Sequence, residues 1–304
     1  MEKPKKRLLV TGASGFLGYR VCMEAQKNWQ VFGTHHAKPV AVAGVEALGL
    51  DLTNHDDLAH SVKQVRPHAV IHTAAVSQPE DCQAHPASSR AINVSATANL
   101  ATLCARDKIP FVFTSTDLVF DGLNAPYAET DPVSPVNEYG RQKVEAEEAI
   151  RRICPAAAIC RMPLMFGHAP GTGSGFLGWM IRALEKGEPI RLFTDEYRTM
   201  VDTVSAARGL ILFTEKSGGT YHLGGRRRIS RHDMGLALLQ RGPWDPSLLI
   251  RASVYDSTGL APRSPDVSLV SESAYALGYR PTDFDRALDE GIRSRGIVVR
   301  NPDP

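Results

Sequence analysis

The feature that most constrains the fold is a glycine triplet near the amino terminus, "VTGASGFLG", with Gly12, Gly15 and Gly18 at three-residue spacing. It follows an apolar run that predicts a strand, and it opens "FLGYRVCMEAQK", whose apolar residues recur with helical spacing. In that context Gly12 permits a tight turn, Gly15 lets the backbone approach a pyrophosphate, and Gly18 allows close helix–sheet packing. The helix amino terminus attracts the anion. A glycine-rich turn without a ligand is the alternative, but the strand–turn–helix context favours a dinucleotide-binding unit.

Short apolar runs and helical patterns alternate through residue 162. The predicted strands after the first are "WQVFGT", "VEALGLDL", "AVIHTAA", "IPFVFTSTD" and "AAAICRM". The predicted helices are "LAHSVKQVRP", "ASSRAINVSATANLATLCARD" and "NEYGRQKVEAEEAIRRI", the last with Asn137 as a cap. Such alternation implies right-handed crossovers and helices on both faces of a parallel sheet. The expected fold is therefore α/β, with a Rossmann-type doubly wound parallel sheet.

The pattern loosens after Met162. "GHAPGTGSGFLG", residues 167–178, predicts either a connector or a substrate lid. The last third mixes "GTYHLGG" and "SRHDMGLALLQR", which indicates a smaller α/β lobe, and "RRR" at 226–228 is typical of a solvated loop. We expect an NAD(P)-binding domain at 1–162. Residues 163–304 would form mainly a smaller C-terminal substrate-binding lobe, with segments returning to the first domain.

Composition narrows the class of protein. Among 304 residues, 35 are basic and 33 acidic, so the net charge of +2 gives no electrostatic case for nucleic acid or an anionic membrane. No apolar run reaches spanning length. The five cysteines form no Cys-x-x-Cys pair, and the histidines are not spaced as metal ligands. We expect a cytoplasmic protein with reduced thiols, a small-molecule substrate and no metal.

The second predicted strand bears on the choice of dinucleotide. NAD sites commonly place an acid at its end, to hold the ribose hydroxyls. No acid occurs between Val31 and Lys38. Arg20, Lys38, His35 or His36 could instead meet a 2′-phosphate, although Arg20 and Lys38 could equally be surface charges. The pattern favours NADP(H) over NAD(H).

A tyrosine and a lysine stand four residues apart in "EYGRQK", at Tyr139 and Lys143. On a helix this spacing places both side chains on one face, one turn apart. The pair is either an ordinary helix face or a phenol with an ammonium positioned to change its acidity.

Three further motifs join the glycine triplet: "STDLVFDG", "PYAETDPVSPVNEYGRQKVEAE" and "APRSPDVSL". With them the whole chain resembles the extended short-chain dehydrogenase/reductase superfamily. The closer resemblance is to the dTDP-4-dehydrorhamnose reductase family, which includes the regulatory β subunit of methionine adenosyltransferase. The resemblance implies an NADP(H)-preferring oxidoreductase that reduces a 4-keto sugar nucleotide, and it allows a homodimer. An NAD-dependent sugar-nucleotide epimerase and a non-catalytic NADP-binding regulatory subunit stay open as alternatives.

The resemblance assigns the chemistry to three residues. Tyr139 donates a proton to the carbonyl oxygen. Lys143 and the positive nicotinamide ring of the oxidised cofactor lower the pKa of that phenol, and Lys143 also holds the nicotinamide ribose. Thr116 hydrogen-bonds the carbonyl oxygen, while strand alternation should point Ser115 elsewhere.

The resemblance also assigns binding residues, for which core packing or capping is the competing explanation. Arg198, if exposed, could be a salt-bridge residue instead. The cofactor set is Gly12, Ser14, Gly15, Phe16, Leu17, Gly18, Arg20, His35, Lys38, Asp51, Leu52, Ala74, Ala75, Asn93, Tyr139, Lys143 and Pro163, and the substrate set is Thr116, Val119 and Arg198.

Two departures from the family pattern bear on the substrate. Leu164 stands where the sugar-nucleotide reductases usually carry a Trp that shapes the sugar pocket. The dehydratase relatives carry Thr-Asp-Glu, whereas Leu118 follows Thr116 and Asp117 here, which argues against dehydration. Epimerisation by the same tyrosine and lysine stays open.

Overall fold

A seven-stranded parallel sheet forms the centre of the protein. The computed structural model describes residues 4–40, 42–170, 175–216, 218–259 and 261–300. The strands of this sheet are β1 (Lys6–Thr11), β2 (Trp29–His35), β3 (Val45–Gly49), β4 (Ala69–His72), β5 (Phe111–Thr116), β6 (Ala158–Met162) and β11 (Gly219–His222). They lie in the order β11-β6-β5-β4-β1-β2-β3, and every neighbouring pair is parallel. The α/β fold class expected from the sequence is confirmed. Strand order reverses at β1, which is where open α/β sheets bind ligands.

Helices cover both faces of the sheet. They are α1 (Phe16–Ala25), α2 (His55–Val65), α3 (Pro79–Ala84), α4 (Pro86–Arg90), α5 (Thr97–Arg106), α6 (Glu138–Ile153), α7 (Gly175–Glu185), α8 (Thr203–Phe213), α9 (Arg231–Arg241), α10 (Glu272–Ala276) and α11 (Phe284–Arg293). One face is buried under α1, α8 and α10, and the other under α2, α5 and α6.

Residues from the last third of the chain complete the central sheet. "GTYHLGG" was expected in the smaller lobe, but its strand β11 pairs with β6, with Tyr221 opposite Cys160. Helix α8 packs beside α1 on the same face. The physical reason is burial: every residue of β6 is buried, so the strand needs a neighbour on each side.

The predicted long helix after β4 is interrupted. A short helix, α3, precedes it, and a π-helical segment (Ala91–Ala96) lies between α4 and α5. The segment contains Asn93, whose side chain accepts from the Val76 amide at 2.9 Å and donates to the Val76 carbonyl at 3.0 Å. A π-helical turn contains more residues than an α-helical turn. Here it accompanies the inward-facing Asn93 side chain, which holds the loop that follows β4.

The C-terminal lobe has its own apolar core. It is formed by α7, α9 and α11 with short strand pairs: β7 (Met165–Phe166) with β10 (Val201–Asp202), β9 (Tyr197–Arg198) with β12 (Ile229–Ser230), and β8 (Ile190–Phe193) with β13 (Leu249–Ala252). Of the glycine-rich stretch expected to be a connector or lid, Gly175–Gly178 is instead the first turn of α7, and residues 171–174 lie outside the described ranges.

The basic triplet 226–228 is exposed, as expected, yet each side chain lies against an aromatic ring. Arg226 lies over Tyr275, Arg227 over Phe284, and Arg228 over Tyr197 at 3.5 Å from the ring centroid. Among the helices of the described ranges, none has the length and apolarity to cross a membrane. Within the same ranges, no group of three or more His, Cys, Asp or Glu side chains is placed to hold a metal ion.

Candidate active site

A deep cleft opens at the carboxyl edge of the sheet, between the sheet and the C-terminal lobe. Its volume is about 1410 Å³. The turn after β1, the ends of β4 and β5, and the first two turns of α6 form one side, and α7 and the start of α9 contribute to the other. The predicted site residues that line it are Gly12, Ser14, Gly15, Phe16, Leu17, Gly18, His35, Asp51, Leu52, Ala74, Ala75, Thr116, Tyr139, Lys143, Pro163 and Arg198.

The glycine turn is shaped by close backbone approaches. Gly12 has a positive φ of 70°, and a Cβ there would lie 2.7 Å from the Ala74 Cα. A Cβ on Gly18 would lie 2.1 Å from the Gly12 carbonyl oxygen, so α1 can start against β1 only without a side chain. Among the residues that the structure describes, no side chain caps the amino terminus of α1. Its first amides therefore face the cleft without a side-chain acceptor, which fits a pyrophosphate.

The adenosine half of a dinucleotide would lie at the far end of this wall. His35 and His36 line the cleft there. The Asp51 carboxylate accepts from the Thr53 hydroxyl at 2.7 Å and the Thr53 amide at 2.9 Å. These hydrogen bonds hold the pKa of Asp51 below its usual value.

Three predicted cofactor residues do not line the cleft. Arg20 donates to the His168 carbonyl oxygen at 2.5 Å, which ties α1 to the segment after β7. Lys38 is exposed beyond the end of β2. Asn93 lies behind the wall, where it holds Val76. Their proposed contacts with a cofactor stay predictions. Of the four basic residues expected to meet a 2′-phosphate, the two histidines are the ones that line the cleft.

The tyrosine and lysine lie at the floor of the cleft on the first two turns of α6. Asn137 caps this helix by accepting from the Gly140 amide at 2.9 Å, as the sequence predicts. A Cβ on Gly140 would lie 2.2 Å from the Leu118 carbonyl oxygen. Glycine at this position therefore lets α6 approach the turn after β5, which brings Tyr139 beside Thr116.

Burial dominates the electrostatics of the pair. Desolvation lowers the pKa of Lys143 to about 7, and its ammonium nitrogen lies 4.1 Å from the centroid of the Phe113 ring. Desolvation, and then the charges of Cys82 and Asp117, raise the pKa of Tyr139, and a hydrogen bond with Thr116 opposes them in part. The pKa is raised because the cost of burying a phenolate exceeds the attraction of the protein's own charges. The expected lowering of this pKa by Lys143 together with the positive nicotinamide ring of the oxidised cofactor stays a prediction.

A buried carboxylate lies one turn beyond Lys143. Glu147 is fully buried and accepts from the Ser115 hydroxyl at 2.6 Å, from Arg161 at 2.9 and 3.0 Å, and from Arg151 at 2.7 Å. Neighbouring hydroxyls on β5 thus have different partners, since Thr116 bonds the Asp117 carboxylate at 3.2 Å. Burial alone would raise the pKa of Glu147, but Arg161, Ser115 and Arg151 outweigh it and hold that pKa below its usual value.

The other end of the cleft holds a cluster of charges. Arg198, which could have been an exposed salt-bridge residue, is only 2% exposed and pairs with Asp117 at 3.3 Å and Glu196 at 3.2 Å. Glu196 also pairs with Arg231 and Arg263. Burial raises the pKa of Asp117 to about 6, although Arg198 opposes that rise. Arg263 also lies 4.0 Å from Glu80, a third carboxylate of the cleft. Three guanidinium groups and three carboxylates therefore meet at this end, which we call the arginine cluster.

The predicted substrate residue Val119 is elsewhere. It is fully buried in an apolar cluster with Phe120, Tyr127, Val267 and Leu269, so the assignment of Val119 to the substrate is wrong. It follows Asp117 on a 3₁₀ turn that points the two side chains to different sides.

Five charged cleft residues were not in the predicted set: Glu80, Asp117, Glu196, Arg231 and Arg263. Asp117 follows Thr116 directly, and its place at the end of a parallel strand was a signal for it. Arg263 lies within "APRSPDVSL". For Glu196 and Arg231 the sequence holds no local signal, because they meet only when β9 pairs with β12.

Comparisons with known proteins agree with this geometry. Residues 6–295 match the protein family described as "RmlD substrate binding domain". The methionine adenosyltransferase 2 subunit beta of Danio rerio is 28% identical over 301 residues, covering 95% of this chain and 91% of the relative. A probable low-salt glycan biosynthesis reductase, Agl14 of Haloferax volcanii, is 31% identical over 232 residues, covering 74% of this chain and 77% of the relative. A solved dTDP-4-dehydrorhamnose reductase from Bacillus anthracis, in complex with NADP, has a TM-score of 0.82 at 21% identity and covers 95% of this chain and 99% of that chain. This last likeness shows the shared fold.

Proposed function

This chain belongs to the RmlD substrate binding domain family of extended short-chain dehydrogenases/reductases, and we propose that it is an NADP(H)-preferring oxidoreductase acting on a 4-keto sugar nucleotide. The observation that carries the proposal is the placement of Tyr139 and Lys143. Both are buried at the floor of one cleft that also holds the glycine turn and the arginine cluster. A structural helix face would not need a buried lysine, because burying an ammonium is costly.

The three residues have separate roles in this proposal. Tyr139 gives its phenolic proton to the substrate oxygen, and Thr116 donates a hydrogen bond to the same oxygen. Lys143 holds the ribose next to the reacting ring and stabilises the phenolate left behind. A nicotinamide dinucleotide bound along the glycine turn supplies the hydride. The raised pKa of Tyr139 keeps the phenol protonated until the substrate oxygen gains negative charge.

The preference for NADP(H) is supported by the wall beyond β2. No acid stands between Val31 and Lys38, and His35 and His36 line the cleft there. Imidazoles can donate to a 2′-phosphate, whereas a carboxylate at this position would repel it. The solved reductase from Bacillus anthracis is described in complex with NADP, which supports the same choice.

A nucleotide-linked substrate is supported by the arginine cluster. Arg231 and Arg263 line the cleft and both pair with Glu196, and Arg263 also lies 4.0 Å from Glu80. Guanidinium groups suit phosphate oxygens because they present several donors in one plane. Leu164 lines the cleft in place of the Trp of many relatives, so we expect dTDP-4-dehydrorhamnose itself to be a poor substrate.

A regulatory subunit is the second candidate, and the likeness to methionine adenosyltransferase 2 subunit beta over 95% of this chain supports it. In that case the protein would change the activity of a methionine adenosyltransferase without consuming NADPH. An epimerase would instead keep NAD bound and show no net change in its redox state.

Single-turnover oxidation of protein-bound NADPH tests the proposal. The loaded protein is mixed with a panel of nucleotide-linked 4-keto sugars, and the loss of nicotinamide absorbance is followed. The matched control is Tyr139→Phe, which keeps the ring and removes the hydroxyl. We expect at least one ketone to oxidise NADPH faster with the parent protein than with the variant. Equal rates for every ketone would remove the oxidoreductase proposal and favour the regulatory one.

A further inference from the structure

Helix α7 presents an exposed tryptophan at the cleft. Trp179 is 43% exposed and lines the cleft with Phe176 from the preceding turn. Their ring centroids lie 6.0 Å apart with planes 23° from parallel, and the Arg231 guanidinium lies 5.0 Å from the centroid of the Phe176 ring. A stack of guanidinium, benzyl ring and indole therefore runs from the arginine cluster to the outermost ring, Trp179.

Packing of the lobe does not account for this side chain. The buried face of α7 is formed by Leu177, Met180, Ile181 and Leu184, and Trp179 lies off that face. Of the large apolar residues that are exposed in the described ranges, Trp179 alone lines the cleft. Its indole thus leaves an apolar face open to a ligand within the same cavity that holds the arginines.

The geometry points to Trp179 as the residue that stacks on the nucleobase of the substrate, an inference that rests on the proposed nucleotide-linked substrate. Phosphate groups held by Arg231 and Arg263 would leave the base within reach of the aromatic stack. The same cleft is bounded on its cofactor side by Gly175, where a Cβ would lie 2.5 Å from the Phe16 ring. The first turn of α7 thus touches the cofactor turn, and its next turn presents Trp179 to the substrate.

The stacked base has a consequence for selectivity. A flat aromatic face binds purines and pyrimidines alike, because each base has a π-face. Since Leu164 supplies no aromatic ring at the sugar end, the base and the phosphates should provide most of the affinity for the substrate. The nucleotide would be held tightly and the sugar tolerated in several forms.

Calorimetric titration of the NADPH-loaded protein tests the inference, because NADPH occupies the other nucleotide-binding wall. The probes are dTDP, which carries base and phosphates, and inorganic pyrophosphate, which carries phosphates alone. Trp179→Leu should weaken dTDP binding by about 5- to 150-fold, the effect of losing one base–aromatic stack. Pyrophosphate binding should not change. Trp179→Phe keeps a ring and should retain most of the dTDP affinity, and Trp244→Phe is the matched control for loss of a tryptophan elsewhere in the lobe.

Three results would overturn the inference. The first is an equal affinity for dTDP in the parent and in Trp179→Leu. The second is an equal loss of affinity for dTDP and for pyrophosphate in Trp179→Leu, which would indicate that the substitution displaces helix α7. The third is a parent protein that holds dTDP no more tightly than pyrophosphate. The reductase proposal is tested separately: Trp179-dependent dTDP binding with no NADPH oxidation would remove that proposal and leave this one standing.

Discussion

Replacement of Glu147 by glutamine should destabilise the protein although the change keeps the shape of the side chain. The carboxylate is fully buried and neutralises Arg161, which is only 2% exposed. The guanidinium also lies 3.4 Å from the His222 Nε2 and 5.1 Å from the centroid of the Phe120 ring, and neither can replace a negative charge. Breaking a buried pair from one side costs about 3–5 kcal/mol. Glutamine still accepts from Ser115 through its one oxygen, so we expect the lower end, about 3 kcal/mol.

The expected loss is measurable as a shift in the midpoint of thermal unfolding. An unfolding entropy of about 2.1 cal/mol/K per residue gives roughly 0.6 kcal/mol/K for this chain, so about 3 kcal/mol corresponds to a fall of roughly 5 °C. Circular dichroism melts and urea titrations at neutral pH would measure it. Glu148→Gln is the matched control, because it removes the same charge from an exposed neighbouring position.

The pH dependence of the stability difference between the parent and Glu147→Gln provides a second test. The pKa of Glu147 is lowered in the folded protein, so its stabilising contribution is present at neutral pH and is lost as pH falls through that lowered value. The stability gap between the parent and Glu147→Gln should therefore shrink in acid. A variant within about 0.5 kcal/mol of the parent at neutral pH, the usual range for surface changes, would refute the reasoning.

Three further outcomes are expected. Tyr139→Phe should lower single-turnover oxidation of NADPH by about 10²–10⁴-fold while NADPH affinity and thermal stability are kept; an unchanged rate would reduce the Tyr–Lys pair to a helix face. Because burial lowers the pKa of Lys143 to about 7, its ammonium is lost as pH rises through that region, so NADPH affinity measured by nicotinamide fluorescence should fall from pH 6 to 9. The same series with Lys143→Met should be flat, and a parallel decline would assign the effect to another group. NADPH should bind more tightly than NADH. His35→Ala should reduce this difference in affinity more than Arg20→Ala, because Arg20 is held by the His168 carbonyl. Equal affinities for the two cofactors would contradict the proposal that a 2′-phosphate binds beyond β2.

The parts of the site that the sequence predicts are those set by local geometry. The glycine turn, the Asn137 cap and the four-residue spacing of Tyr139 and Lys143 each depend on contacts within one or two turns of chain, so their patterns are visible in a short stretch. The parallel sheet follows from the alternation of apolar runs for the same reason.

The parts that the sequence does not predict depend on distant pairing. Arg198 is buried because Asp117, 81 positions earlier, lies at the end of β5 beside it. No local pattern separates such an arginine from a solvated one. β11 joins the central sheet because β6 needs a second neighbour, a requirement that appears only when the sheet is assembled. The raised pKa of Tyr139 likewise depends on burial by several separate segments rather than on the lysine one turn away.

The late arrival of β11 has a consequence for how the nascent chain must fold. On a ribosome that adds about 5–20 residues per second, β6 would be made several seconds before its partner strand. During that interval β6 would be an open sheet edge, which is a template for pairing with other chains. The strand carries Arg161 as the fourth of its five residues, and Glu147, the partner of that charge, is already present on α6. A charged residue within a temporarily open edge discourages pairing between chains, so the ion pair of Arg161 and Glu147 would protect the growing protein from aggregation before it supports the finished site.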